Sequence, residues 1–470
     1  MISISRTPIR EFRAMCRKAF GVGGSRALVV QVQAQRDQLT LRAVNADVAL
    51  EYRVPHAGAP IEFYCQIDLL DACQGTSGSD PVQFELLAGN MLRASWQERG
   101  IPWQREAEAL TAERMGQFPA LPANQASNPP ELLAALVAAS ACVERQSGRY
   151  ALGCLQLDGQ QGRILSTDGR QALVQSGFRF LWSEPKLIPA NPALCAKNLP
   201  SDEPILVGNH KNWVVFTIGP WTLWFKEHEG RFPEIDRSLR ELNGEPGRLT
   251  LDPRDTQFAL SAIGSLPGRN SPHEPVTLEL NGEVLLRAYD ADSGPIAELL
   301  LARSRYTGPP ATVRTNRQML ARVLQLDLNE IGLQTPEEPL QAYGKNRHYV
   351  WVPLTGDAPQ LTRRTIRRIA SDGSAVVAAD SQIPESAVAP ATVAEPCGTV
   401  SPQPAVATTV GPTAPQTATP IHPAAEKVMV ATPLAQAMEM RTRLREALNE
   451  VNALVKSLRQ TRRKPTRAAG

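Results

Sequence analysis

The chain has 470 residues, 42% of them hydrophobic, and a formal net charge of +3. That length exceeds what one hydrophobic core supports, so several domains are required, and the small net charge excludes a chain that binds nucleic acid by overall charge alone. Seven cysteines without a C-x-x-C pair exclude a disulfide framework and predict a reduced, cytoplasmic protein; no apolar signal segment opens the chain, and no run approaches the ~18 apolar residues of a membrane helix.

An amphipathic helix is predicted over 9–20 (IREFRAMCRKAF), with Phe12, Met15, Cys16 and Ala19 on one face and Arg10, Arg13 and Arg17 opposite. Alternating strand patterns follow in ALVVQVQAQ and QLTLRAV, then a short helix in QIDLLDACQG at 66–75. The same order returns twice. Helices are predicted at 131–143 (ELLAALVAASACV) and 191–200 (NPALCAKNLP), and again at 255–266 (DTQFALSAIGSL) and 316–326 (NRQMLARVLQL). LRAVNAD at 41–47 and LRAYDAD at 286–292 agree at five of seven positions, and GRILSTDGRQAL places Asp168 121 residues after Asp47 and 124 before Asp292. Three repeated α+β units of about 120 residues follow, with domains at 1–123, 124–244 and 245–356. Sheets with open edges, joined edge to edge, would form an arc that a second arc closes head to tail.

Residues 357–432, rich in Ala, Pro, Thr, Val and Ser, predict a disordered linker. A helix is expected over 433–461, where Leu434, Ala437, Arg441, Leu444, Leu448, Val451, Val455 and Leu458 follow a/d spacing broken by Arg441. It would form a modest coiled coil or pack on the body of the protein. Residues 462–470 form a basic tail, either solvated or adding salt-sensitive DNA contacts.

Nothing in the chain assembles into a catalytic motif. Six scattered histidines give no H-E-x-x-H or Cys-His cluster, GVGGS at 21–25 lacks the Lys-Ser/Thr of a phosphate loop, and Asp47, Asp168 and Asp292 fall in three separate domains. No catalytic residue, metal or cofactor is expected.

Five segments in order, RYALGCLQLDG (149–159), STDGRQAL (166–173), LIPANPAL (187–194), KEHEGRFPEI (226–235) and HYVWVPL (348–354), resemble the bacterial sliding clamp family, the beta subunit of DNA polymerase III. STDGRQAL is similar to the family's ATDGHRLA, KEHEGRFPEI to its EGxFPDY and HYVWVPL to its YVVMPM. The resemblance implies three clamp domains, a homodimeric ring around double-stranded DNA, a clamp loader, and short linear motifs through which DNA polymerase or repair proteins dock. A ring holds DNA by topology, so it needs a positive inner wall that touches phosphates rather than bases. The DNA-facing candidates are Arg10, Arg13 and Arg17 on the first helix, Arg26 and Gln146 in loops, and Lys197; for each the alternative is a plain solvated surface. Arg254, Arg317 and Arg322 add positive charge on other helices.

The client-peptide groove, carried over from the family, would use Leu152, Thr167, Gly169, Arg170, Gln171, Ala172, Val350, Val352, Pro353 and Leu354, with Asn316 and Met319 as a rim. Apolar walls with few polar groups are what such an anchor needs. The family's His-Arg-Leu is here Arg170-Gln171-Ala172, which changes pocket depth and charge. Ile263 and Trp103 are the dimer-interface candidates; Gly264 removes one apolar anchor, and Ile263 as core is the alternative. Two functions stay open: a sliding clamp that is a processivity factor, and a clamp-like scaffold that oligomerises through its C-terminal helix without topological DNA tethering.

Overall fold

The computed structural model describes residues 1–24, 28–144, 151–241, 246–290, 296–355 and 366–374. Two units divide the chain, Met1–Ala387 and Val388–Gly470, and everything below concerns the first. The expected helix over 433–461, the tail at 462–470, and Arg26 and Gln146 lie outside the described residues.

The first set of elements is β1 (Ile2–Ser5), α1 (Arg6–Gly24), β2 (Val29–Ala34), β3 (Gln38–Val44), β4 (Val48–Pro55), β5 (Ile61–Gln66), α2 (Ile67–Ala72), β6 (Pro81–Leu87), β7 (Met91–Glu98), β8 (Ile101–Glu108) and α3 (Ala112–Met115). The second is β9 (Ala126–Asn128), α4 (Glu131–Ser140), β10 (Cys154–Asp158), β11 (Arg163–Thr167), β12 (Gln171–Ser176), β13 (Lys186–Pro189), β14 (Ile205–His210), β15 (Trp213–Ile218) and β16 (Trp221–Lys226). The third is β17 (Gly247–Thr250), α5 (Pro253–Ile263), β18 (Pro275–Leu280), β19 (Val284–Ala288), β20 (Ile296–Leu300), β21 (Arg305–Thr307), β22 (Ala311–Asn316), α6 (Arg317–Gln325), β23 (Glu330–Leu333), β24 (Leu340–Gly344), β25 (Arg347–Trp351) and β26 (Ile366–Ala370).

Local sequence explains the helices. In α1 the residues Ile9, Phe12, Met15, Cys16 and Ala19 recur at helical spacing and are buried, and the helix is interrupted at Gly21, whose φ of 73° suits a residue without Cβ. Asp252 caps α5 and Asn316 caps α6, each accepting a backbone N–H two residues on at 2.8 Å. The expected helix at 191–200 shrinks to a 3-10 turn over Pro192–Cys195, which Asn191 caps and which ends where Ala196 turns extended, with φ −78° and ψ 131°.

Two of the four sheets run across the boundaries between sets. One has the order β5-β2-β3-β4-β16-β15-β14-β9, the other β13-β10-β11-β12-β25-β24-β23-β17-β21. Their seams are the antiparallel pairs β4·β16, with Tyr52 opposite Trp221, and β12·β25, with Ala172 opposite Val350. The remaining sheets are β1-β6-β7-β8 and β22-β18-β19-β20-β26. One continuous core, including Phe12, Leu50, Leu136 and Trp221, runs through the first two sets, and a second core fills the third.

Strand β26 corrects the linker expected over 357–432. Residues 366–370 pair in parallel with β20. Arg368 Nε donates to Glu298 Oε2 at 2.8 Å and Ser371 Oγ donates to Asp255 Oδ1 at 2.5 Å, and both carboxylates are wholly buried. Without β26, Glu298 would keep only Arg287, a loss on the order of 3 kcal/mol for a buried charge. Composition could not show this, because what holds the segment is polar and distant in sequence.

Candidate peptide groove and basic helix faces

The Thr167-Asp168-Gly169 segment is a tight turn before β12. Thr167 Oγ1 donates to Gln171 O at 2.6 Å, Asp168 Oδ1 accepts from the N–H groups of Arg170 and Gln171 at 2.8 and 3.0 Å, and Gly169 has φ 87°. The turn aims Gln171 toward α6. There Gln171 Oε1 accepts from the Tyr349 hydroxyl at 2.5 Å and from Arg322 Nη1. Burial holds the Tyr349 hydroxyl well above its ordinary range, so it stays a neutral donor.

A cavity of about 450 Å³ opens beside this network, lined by Glu144, Arg170, Gln171, Asn316, Met319 and Arg322 among others. Arg170, Gln171, Asn316 and Met319 are therefore brought together, but the walls are polar, where the expectation was apolar. Strand geometry gives the reason. Side chains alternate across a strand, so Ala172 and Val174 point to the other face of β12, where they pack with Leu165 and Ile235 and with the half-buried Phe232 and Leu239. The groove candidates thus divide into a charged cavity on one face and an apolar patch on the other.

The remaining candidates sit near the seam without lining the cavity. Val350 and Pro353 are buried, Val352 is exposed, Leu152 and Leu354 are half-buried, and Thr167 is buried in its turn. Val352 N donates to Arg170 O at 2.9 Å and Leu354 N to Arg314 O at 2.8 Å, which ties the segment after β25 to the second set and to β22 of its own. Arg322 and Tyr349 are the residues at this seam whose roles the sequence left unread, since their shared acceptor Gln171 lies more than 150 positions away.

On the helix faces the arginines do not act alike. Arg13 is buried, its guanidinium forked onto Asp71 of α2, with Nη2 donating to Oδ2 at 2.5 Å. It therefore cannot meet DNA as expected. Arg17 is 52% exposed and lies 3.5 Å from the same carboxylate, and Arg10 is half-buried. Lys197 and Arg254 are exposed. Arg317, expected to add surface charge, is buried and donates to Leu266 O at 2.7 Å. Arg322 is likewise committed inward.

Of the dimer candidates, Trp103 is 54% exposed on β8, whereas Ile263 is 3% exposed in the core of the third set. Ile263 is thus core and not interface, because α5 turns it inward together with Ala259. The described cysteines are unpaired, and all but Cys195 are buried; burial pushes the Cys142 thiol up to about 11, consistent with small hydrophobes. No described helix is long and apolar enough to cross a membrane.

No protein-family model matches the chain, and no curated protein matches it by sequence. Its structure is similar to the DNA polymerase III subunit beta from Pseudomonas aeruginosa, at 18% identity and a TM-score of 0.59, covering 75% of this chain and 99% of that one. It is similar to a sliding clamp of the same organism bound to griselimycin, at 18% identity and a TM-score of 0.61 over the same shares of both chains. A protein from Eubacterium rectale assigned as a DNA polymerase III beta subunit gives 12% identity and a TM-score of 0.61, with 75% of this chain and 99% of that one covered. The chain therefore has the α+β sliding-clamp fold. Within that fold its structure is similar to those of DNA polymerase III beta subunits at 12–18% identity.

Proposed function

We propose that this protein is a sliding clamp: a non-enzymatic homodimeric ring that encircles duplex DNA, is placed there by a clamp loader, and tethers DNA polymerase or repair proteins in the cytoplasm. The observation that carries this reading is the pair of equivalent sheet seams, β4·β16 and β12·β25, which link three like units in series and leave edges at both ends for a second copy. Arg10, Arg17, Lys197 and Arg254 would supply phosphate contacts, and their small number fits a ring that holds DNA by topology rather than affinity. Client motifs would enter at the seam of β12 and β25, with an apolar anchor against the Ala172 patch and an acidic or amide group near Arg170 in the polar cavity.

One observation favours the second reading, a clamp-shaped scaffold without DNA tethering. Burial of Arg13 and Arg317, and the commitment of the half-buried Arg322 to Gln171, leave the helix faces poorer in free cations than the sequence promises. Retention of the full chain on closed circular DNA through a high-salt wash, with release on linearisation, tests the first reading against the second.

A further inference from the structure

We propose that β26 is the strand through which a second copy of this chain attaches, with the partner's β8 edge pairing antiparallel to it. The proposal rests on the clamp reading only for the claim that two such contacts close a ring.

The two internal seams set the rule. Strands β6–β8, β14–β16 and β23–β25 occupy the same place in the three sets, and the last strand of the second and third groups, β16 and β25, pairs antiparallel with β4 and β12. The remaining last strand is β8, which ends its sheet with no neighbour on its outer side among the described residues. The counterpart of β4 and β12 in the third set is β20, and its outer side is already taken by β26.

Two features make β26 the new edge rather than a cover to be pushed aside. It runs parallel to β20, so it offers an incoming strand the same direction that β20 would have offered. It is also built in, since Arg368 and Ser371 donate to the buried carboxylates of Glu298 and Asp255, and displacement would take one partner from each. The two open edges match in chemistry. β26 exposes Ile369 at 59% and Arg367, while β8 exposes Ile101 at 60%, Trp103 at 54%, Glu106 and Glu108. An open edge carrying large apolar side chains is a template for pairing with another chain.

Sedimentation equilibrium of the full-length chain tests this, using the wild type, Ile369→Glu, Arg367→Glu and, on the opposite strand, Trp103→Glu. The expected result is a wild-type dimer whose dissociation constant rises at least about tenfold in each variant, with amides of 101–108 and 366–370 slowed in hydrogen exchange only at dimer-forming concentrations. Should a β26 variant fail to fold, Trp103→Glu gives the same reading from the other edge. A wild-type monomer, a dimer indifferent to these variants, or tighter self-association when β26 is disrupted overturns the proposal. The last outcome would make β26 a cover over β20, and indifference would place dimerisation elsewhere in the chain. A dimer that behaves as expected yet leaves circular DNA in high salt sustains the strand assignment and defeats the clamp reading.

Discussion

The indole of Trp221 lies nearly flat on the ring of Tyr52, with centroids 4.0 Å apart and planes within 17°, across the seam where β16 meets β4. Phe12 of α1 stacks on the same indole at 6.4 Å, so one fully buried residue joins a helix and a strand of the first set to the second. Replacing it with alanine removes both stacks and leaves a cavity. Trp221→Ala is expected to cost about 3–5 kcal/mol, read as a lowered urea midpoint, with limited proteolysis separating the first set from the second. An unchanged midpoint would show that the seam does not depend on this contact.

At the second seam, polar groups do the corresponding work. Gln171→Leu keeps the size of the side chain but leaves the Arg322 guanidinium and the Tyr349 hydroxyl without their shared acceptor. The expected loss is about 2–3 kcal/mol, because unsatisfied buried donors keep their desolvation cost. Trp351, which donates to Thr315 Oγ1 at 2.9 Å, reports the change by its fluorescence. Wild-type stability in the variant would mean that water replaces Gln171 at no cost.

Arg13 and Arg17 should separate stability from DNA contact. Arg13→Ala removes the buried guanidinium from the one-third-exposed Asp71 and is expected to cost about 1.5–3 kcal/mol while leaving the salt dependence of DNA binding unchanged. Arg17→Ala, at a site 52% exposed, should leave stability within about 0.5 kcal/mol and lower the slope of log affinity against log salt by about 0.9. Equal effects of the two variants on DNA would contradict the assignment.

His348 gives the fold an acid limit. Burial, against Tyr343 and within 2.6 Å of Gln341 Oε1, lowers its pKa from 6.5 to about 4. The unfolded chain takes up the proton first as pH falls, so the neutral ring's contribution is complete above pH 6.5 and is lost between there and about pH 4. After allowance for partial exposure of the ring, the loss is on the order of 2 kcal/mol. His348→Gln should flatten this part of the stability profile; an unaltered slope would assign it to other groups.

Local signals were legible in the sequence and distant partners were not. The buried stripe of α1 follows from its helical period, and the Asp168-Gly169 turn from residues that bond within four positions of one another. Arg13 was misread because its partner Asp71 stands 58 positions away, and helical spacing alone cannot tell a solvated cation from one forked onto a neighbouring helix. For Ile263 the sequence leaves core and interface both open for a related reason: periodicity shows that a face is apolar, not whether its own core or a second copy covers it, and the structure decides for the core. Strand β26 was hidden because Arg368 and Glu298, 70 positions apart, supply what its composition lacks. The groove split because residues adjacent along β12 point to opposite faces, which a motif read as a continuous string does not display.

The most direct measurement is the fraction of full-length protein left on a nicked circular plasmid after a wash in about 1 M salt, where charge contacts are screened beyond about 3 Å, compared with the same plasmid cut once. A clamp stays on the circle and leaves the linear form by sliding off its ends. Equal loss from both forms, or equal retention on both, would contradict topological tethering.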